Sequence, residues 1–224
     1  MNTARFFLLA VLSTACTTSA PDRLASDRAP LAGPCDDSDP NRCLLPWPSN
    51  RYTIADDRTA TGLRLAVDTA SLPVEDRADY LNLADGFSRA TGVAAAFNGP
   101  IDASSLSWDP AQSLRADAPL QVINADPEHP QYGQRIPFRT EDRDATDALE
   151  EKHLIIGRPA APLAANTDHV FIITNTLGNT DAPPRHVQVA LGLERPKTSE
   201  EHTLAAWHAP TREALDTAGV ALET

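Results

Sequence analysis

Two adjacent serines, six histidines and one aspartate-rich loop are the residues of this chain whose types lend themselves to chemistry. A serine esterase needs its nucleophile on a strained strand-to-helix turn, written G-x-S-x-G, so that the hydroxyl stands clear above the sheet. No such pentapeptide occurs in the 224 residues. Ser104 and Ser105 lie in "PIDASSL" and Ser49 in "PWPSN", where turn and helix-start chemistry accounts for a hydroxyl. The histidines, His129, His153, His169, His186, His202 and His208, include no H-x-x-x-H or H-E-x-x-H pair, so no zinc site is expected. His202 and His208 are six apart and fall on different faces of a helix. In "CDDSDPN", Asp37, Asp39 and Asn41 are spaced like the opening of a calcium loop. The sixth position is Arg42 rather than glycine and the twelfth is Pro48 rather than glutamate. These calcium candidates therefore read as a solvated Asx turn, and no cofactor is expected.

The elements that would position any site are short. Nineteen prolines against ten glycines favour rigid connections over long helices. Short apolar runs at Leu63–Val67, Val93–Phe97, Leu120–Asn124, Arg135–Arg139, His153–Ile156, Val170–Thr174 and Val187–Leu191 predict strands, separated by Gly, Pro, Asn and Asp clusters. "SLPVEDRADYLNLADGFS" reads as irregular, with a turn at Asp85-Gly86 and Phe87 as a core anchor. "RTEDRDATDALEEKH" reads as an exposed loop or short helix, and Trp108 as a core anchor. Near the end, Thr198 and Glu201 have the spacing of a capping box before Leu204, Ala205 and Trp207. Pro210 begins a second helix carrying Ala214, Leu215 and Ala218, with Gly219 as its stop. "VAL", at 220–222, reads as the start of a further strand. "CLLPWPSNRY" cannot be a regular helix, because Pro46 and Pro48 interrupt it. It is expected to be an extended strap whose Leu44, Leu45 and Trp47 plug into a later domain. Several short strands punctuated this way predict a mainly β fold, an antiparallel β-sandwich with short C-terminal helices.

The formal charge of −12 argues against nucleic acid or an anionic lipid surface as partner, since both reward a basic patch. The opening "MNTARFFLLAVLSTAC" joins Arg5 to an apolar stretch from Phe6 to Leu12 and ends in small residues, the layout of a signal peptide over 1–15. Its end resembles a bacterial lipobox, in which the cysteine, here Cys16, is lipidated; Leu12 lies four residues before it rather than three. Thr17 in the next position favours, by that resemblance, the outer membrane, with the protein facing the periplasm or the cell surface. With Cys16 assigned to lipid, Cys35 and Cys43 remain for one disulfide in an oxidising envelope. Residues 16–34 then form a proline- and serine-rich tether.

"AAAFNGPIDASSL" and "KHLIIGRPAAPLAANTDHVFIIT" resemble paired-strand segments of bacterial Ig-like surface domains, with His169 where tyrosine is usual and Arg158 between Gly157 and Pro159. "CLLPWPSNRYTIADDRTATGLRL" followed by "ADGFS" is similar to the front of large exported lipoproteins related to virulence-factor lipases. The resemblance implies a strap and strand region over 35–92, an Ig-like β-sandwich over 93–196 and a helical tail over 197–224. It further implies a non-catalytic, membrane-tethered module whose partner is a C-terminal hydrolase domain or an envelope protein. The alternative is the front of an esterase or lipase whose catalytic domain lies beyond Thr224.

Overall fold

The computed structural model describes residues 45–68, 72, 78–97, 101–145, 152–177 and 183–222; of 143–145 and 152–153 the backbone alone is described. Seven strands occupy Thr53–Ala55 (β1), Leu63–Leu65 (β2), Val93–Phe97 (β3), Leu120–Asn124 (β4), Phe138–Ala145 (β5), Lys152–Pro159 (β6) and His169–Ile173 (β7). Four helices follow the same chain order: Ala78–Leu81 (α1), Arg185–Leu191 (α2), Ser199–Trp207 (α3) and Ala209–Thr217 (α4). All strand pairings are antiparallel, in three sheets of order β1-β2, β3-β6-β5 and β4-β7. The protein is thus mainly antiparallel β with short helices, and its sheets do not close.

Alternation along the strands builds the core. Val93 of β3, Phe138 of β5 and Ile155 of β6 join Leu120 and Val122 of β4, with Ile101 and Leu177 from connecting segments, in one buried cluster. The other face of β4 turns Ile123 to a second cluster made with Ala214, Leu215 and Ala218 at the C-terminal end of the chain. β7 follows the same division: Phe171 packs on the first cluster, and Val170 and Ile172 on the second. The β4-β7 ribbon therefore lies between two apolar layers, the three-stranded sheet on one side and α4 on the other.

The strap reaches the sheet by its backbone. Trp47 bridges Ala94 of β3, and its ring lies edge-on to Phe87 with centroids 5.0 Å apart. Tyr52, fully buried, stands 6.0 Å from the same indole. Leu44 lies outside the described residues. The strap thus meets the edge of β3 through one backbone bridge, since Trp47, unlike the prolines on either side of it, has a backbone N–H to pair.

Four expectations from the sequence are corrected. Val187–Leu191 belongs to a helix, α2, bracketed by Pro184 at its N-cap and Gly192 at its C-cap. Gly192 has φ +78°, and its N–H bonds back to Gln188 and Val189 carbonyls, a closure that favours glycine. The expected strand Arg135–Arg139 and the expected acidic loop after it are replaced by β5, which runs on to Ala145 against β6. Glu141 within it is paired: Arg158 on β6 donates through Nε (3.1 Å) and Nη2 (3.0 Å) to Glu141 Oε1. Trp108 is 63% exposed rather than anchored in the core, since Ser107 beside it fastens to Thr140 of β5 and turns the indole outward.

The C-terminal helices form where their signals lie. Thr198 accepts a hydrogen bond from the Glu201 N–H at the start of α3, Pro210 sits in the first turn of α4 and Gly219 has φ +67°. Arg212 ties the three together, donating through Nη1 to the Ala190 carbonyl of α2 (2.6 Å) and the Ala205 carbonyl of α3 (2.8 Å). Arg185 of α2 adds a two-point pair to Glu201 of α3, at 2.9 and 3.1 Å.

Candidate functional site

A gathering of polar side chains lies where β4 ends and β7 begins. "NADPEHPQYG" is rich in turn-formers, and it leaves β4 in a tight loop that returns along the strand's outer side. Asn124, 2% exposed, fixes the loop by its side chain. Its Oδ1 accepts from the Asp126 N–H (3.1 Å), and its Nδ2 lies 2.9 Å from His129 Nδ1. The Gln131 N–H donates to the same His129 nitrogen (3.1 Å). The Asn124 amide and the Gln131 N–H are therefore the donors, and Nδ1 of His129 accepts from both. Asp126 Oδ1 in turn accepts from the Glu128 N–H.

His169 stands opposite Asn124 in the β4-β7 register. Burial holds its imidazole below the ordinary histidine range; the Thr167 backbone hydrogen bond opposes this, the neighbouring His129 adds to it, and Asp126 opposes it again. The Nε2 atom of His169 is buried without a hydrogen-bond partner among the described residues. The corner thus brings two imidazoles, a carboxylate and an amide together at one end of the β4-β7 ribbon. What it does is structural: His129 Nδ1 and the Asn124 amide are both occupied in closing the loop.

The serines read from the sequence are also occupied. Ser49 Oγ accepts from the Arg51 N–H, Ser104 Oγ donates to Asp102 Oδ1, and Ser105 Oγ donates to the Asp102 carbonyl. Ser113, buried, was not singled out in the sequence; it donates to the Pro110 carbonyl and accepts from the Phe138 N–H, linking a 3-10 turn to β5. Trp207 and His208 form an edge-on ring pair with centroids 4.5 Å apart.

The strongest charge constellation is structural as well. Asp56 accepts from Arg58 Nε (2.8 Å), Arg58 Nη2 (3.0 Å) and Arg64 Nε (2.6 Å). The Arg58 and Arg64 guanidiniums hold its carboxyl far below the usual carboxylate range, and the group locks the β1-β2 turn. In an open depression lined by Leu106, Trp108, Thr140, Glu141 and Asp142, an exposed aromatic meets carboxylates.

Cys16, Cys35, Cys43, Asp37, Asp39 and Asn41 lie outside the described residues. Among the described residues, no group of three or more His, Cys, Asp or Glu is placed to hold a metal ion, and no helix is long and apolar enough to cross a membrane. The Asn124–His129 link escaped sequence reading, although its Asx-turn residues were visible; nothing short of the β4-β7 register brings His169 beside it. No family model matches the chain, and neither the curated proteins nor the solved structures contain a match.

Proposed function

We propose that this chain is a non-catalytic, membrane-tethered Ig-like module of an exported bacterial lipoprotein, similar to the accessory N-terminal region of lipase-like hydrolases. One observation carries the reading: the segment arriving from the N-terminus is fastened to a sheet edge, Trp47 exchanging backbone hydrogen bonds with Ala94 at 2.9 and 2.6 Å. A lipid on Cys16 would then pull on a sheet edge rather than on a loose loop, which suits a tether. The shared cluster of Leu120, Val122, Val93, Phe138 and Ile155 supports a sandwich in which two sheets face each other. The hydroxyls of Ser49, Ser104, Ser105 and Ser113 support a structural role, since each is used in a cap or turn.

The test is expression of the full chain in a bacterial host fed alkynyl palmitate, beside a Cys16→Ser variant. The wild type is expected in the membrane fraction with label, and the variant without label. Purified chain is expected to leave short-chain aryl esters intact. An unlabelled wild type overturns the tether. Ester turnover abolished by a single serine substitution overturns the non-catalytic reading.

A further inference from the structure

We propose that the outer edge of β7 is a strand-addition surface, and that its occupant is β7 of a second copy of this chain. The inference rests on the reading above, in which the chain is a non-catalytic module, and gives that module a partner. It starts from the ladder. Ala125 N–H donates to the Asp168 carbonyl and Thr174 N–H to the Pro119 carbonyl, so Asp168, Val170, Ile172 and Thr174 point their backbone groups at β4. His169, Phe171 and Ile173 necessarily point theirs the other way, and no described residue bonds to them. The opposite edge of the ribbon is handled differently. There Gln134 accepts from the Asn124 N–H, Gly133 donates to the Asn124 carbonyl and Ile136 donates to the Val122 carbonyl, so the returning loop covers β4.

The layers on either side define what fits. Phe171 belongs with the first apolar cluster, and Val170 and Ile172 with the second. A strand laid beside β7 would direct alternate residues into both layers, so it must be apolar at consecutive positions. An ordinary half-exposed strand, apolar at every second residue, does not satisfy this. β7 itself does: Val170, Phe171, Ile172 and Ile173 form an uninterrupted apolar run, Ile173 is 37% exposed, and none of the usual edge guards, lysine, proline or a bulge, interrupts it.

Two copies related by a twofold axis through Phe171 meet antiparallel, an isologous contact. Phe171 then faces Phe171 of the second copy, His169 faces its Ile173 and Asp168 its Thr174. No like charges oppose one another along the seam, so the chain's net charge of −12 does not act across it at short range. The outward N–H and C=O groups of His169, Phe171 and Ile173 find their counterparts, and a four-stranded sheet β4-β7-β7-β4 results.

The experiment is sedimentation velocity on the full Cys16→Ser chain over a range of micromolar concentrations, beside Ile173→Pro and Ile173→Lys made in the same background. Ile173 donates no ladder bond to β4, so proline there blocks the edge and leaves the ribbon intact. The expected result is a dimer for the parent and a loss of dimer in both variants, with unchanged far-UV circular dichroism. If the proline variant unfolds, the lysine variant decides. A parent that stays monomeric overturns the proposal, as do folded variants that remain dimeric. A monomer that takes up a synthetic peptide of residues 168–174 also overturns it, since the edge would then receive a strand from elsewhere. A monomer leaves the non-catalytic reading standing, whereas ester turnover would sink that reading and leave the dimer.

Discussion

Trp47 and Ala94 are paired through their backbones, each donating to the other's carbonyl, while the Trp47 ring packs edge-on against Phe87 and beside buried Tyr52. The pairing joins a segment before the first strand to the middle of the chain, and the aromatic contacts hold it there. Trp47→Ala keeps the backbone pair and removes the aromatic packing. It is expected to cost about 2 kcal/mol, below the range for a fully buried tryptophan because the ring is half-buried. Chemical denaturation measures the loss, and limited proteolysis in the strap measures its release. Unchanged values for both would show that the strap is held by its backbone alone.

Gly157 of β6 is enclosed. A Cβ there would meet Val93 Cγ2 at 2.7 Å and the Phe138 ring at 3.0 Å, both in the first apolar cluster. Gly157→Ala is expected to destabilise by about 1–3 kcal/mol through overpacking, read as a lower urea midpoint with an unchanged slope. A Gly92→Ala variant is the comparison. It meets the Gly157 carbonyl at a looser 3.3 Å and should cost less.

Arg212 is the one side chain that touches the carbonyls of two other helices among the hydrogen bonds of the described C-terminal segment. Arg212→Ala leaves the Ala190 and Ala205 carbonyls at the ends of α2 and α3 without this donor. A loss of about 2 kcal/mol follows from charged hydrogen bonds of that kind. Hydrogen exchange should then quicken in α2 and α3 together, and exchange confined to α4 would contradict a shared role.

His169 makes stability depend on pH. Its folded pKa lies below the ordinary value of 6.5, chiefly through burial, so the unfolded chain takes up a proton before the folded one does. Stability from this group is complete above about 6.5 and declines as pH falls from there to the lowered folded value. Urea midpoints are therefore expected to drop between neutral and mildly acid pH, and His169→Phe to flatten that part of the curve. A variant with an undiminished slope would assign the dependence to other groups.

Local signals were legible where a residue type does one thing. Thr198 at the start of α3 and Gly219 after α4 mark helix ends because a hydroxyl cap and a left-handed glycine have few other uses. Val93–Phe97 and Leu120–Asn124 form over the expected residues, since uncharged runs of that length, bounded by turn residues, have little choice but the interior of a sheet. Where a segment was ambiguous, the sequence alone misled. Val187, Val189 and Leu191 alternate as in a strand, yet Pro184 and Gly192 close them into α2. Arg139 to Ala145 is too charged to look like a strand and becomes one because β6 offers it a full ladder and Arg158 pairs with Glu141.

The sequence by itself determined the mainly β character, the places where α3 and α4 start and stop, and the lack of a G-x-S-x-G motif in these residues, because these depend on neighbours within a few residues. Tertiary structure alone decided that Trp47 would lie on β3, that His169 would stand beside Asn124 and His129, and that one edge of β7, between two apolar layers, would have no partner among the described residues. Each of these joins residues distant in the chain. Such contacts are selected by the total apolar area that the packed sheets and helices bury together, and no local pattern encodes that sum.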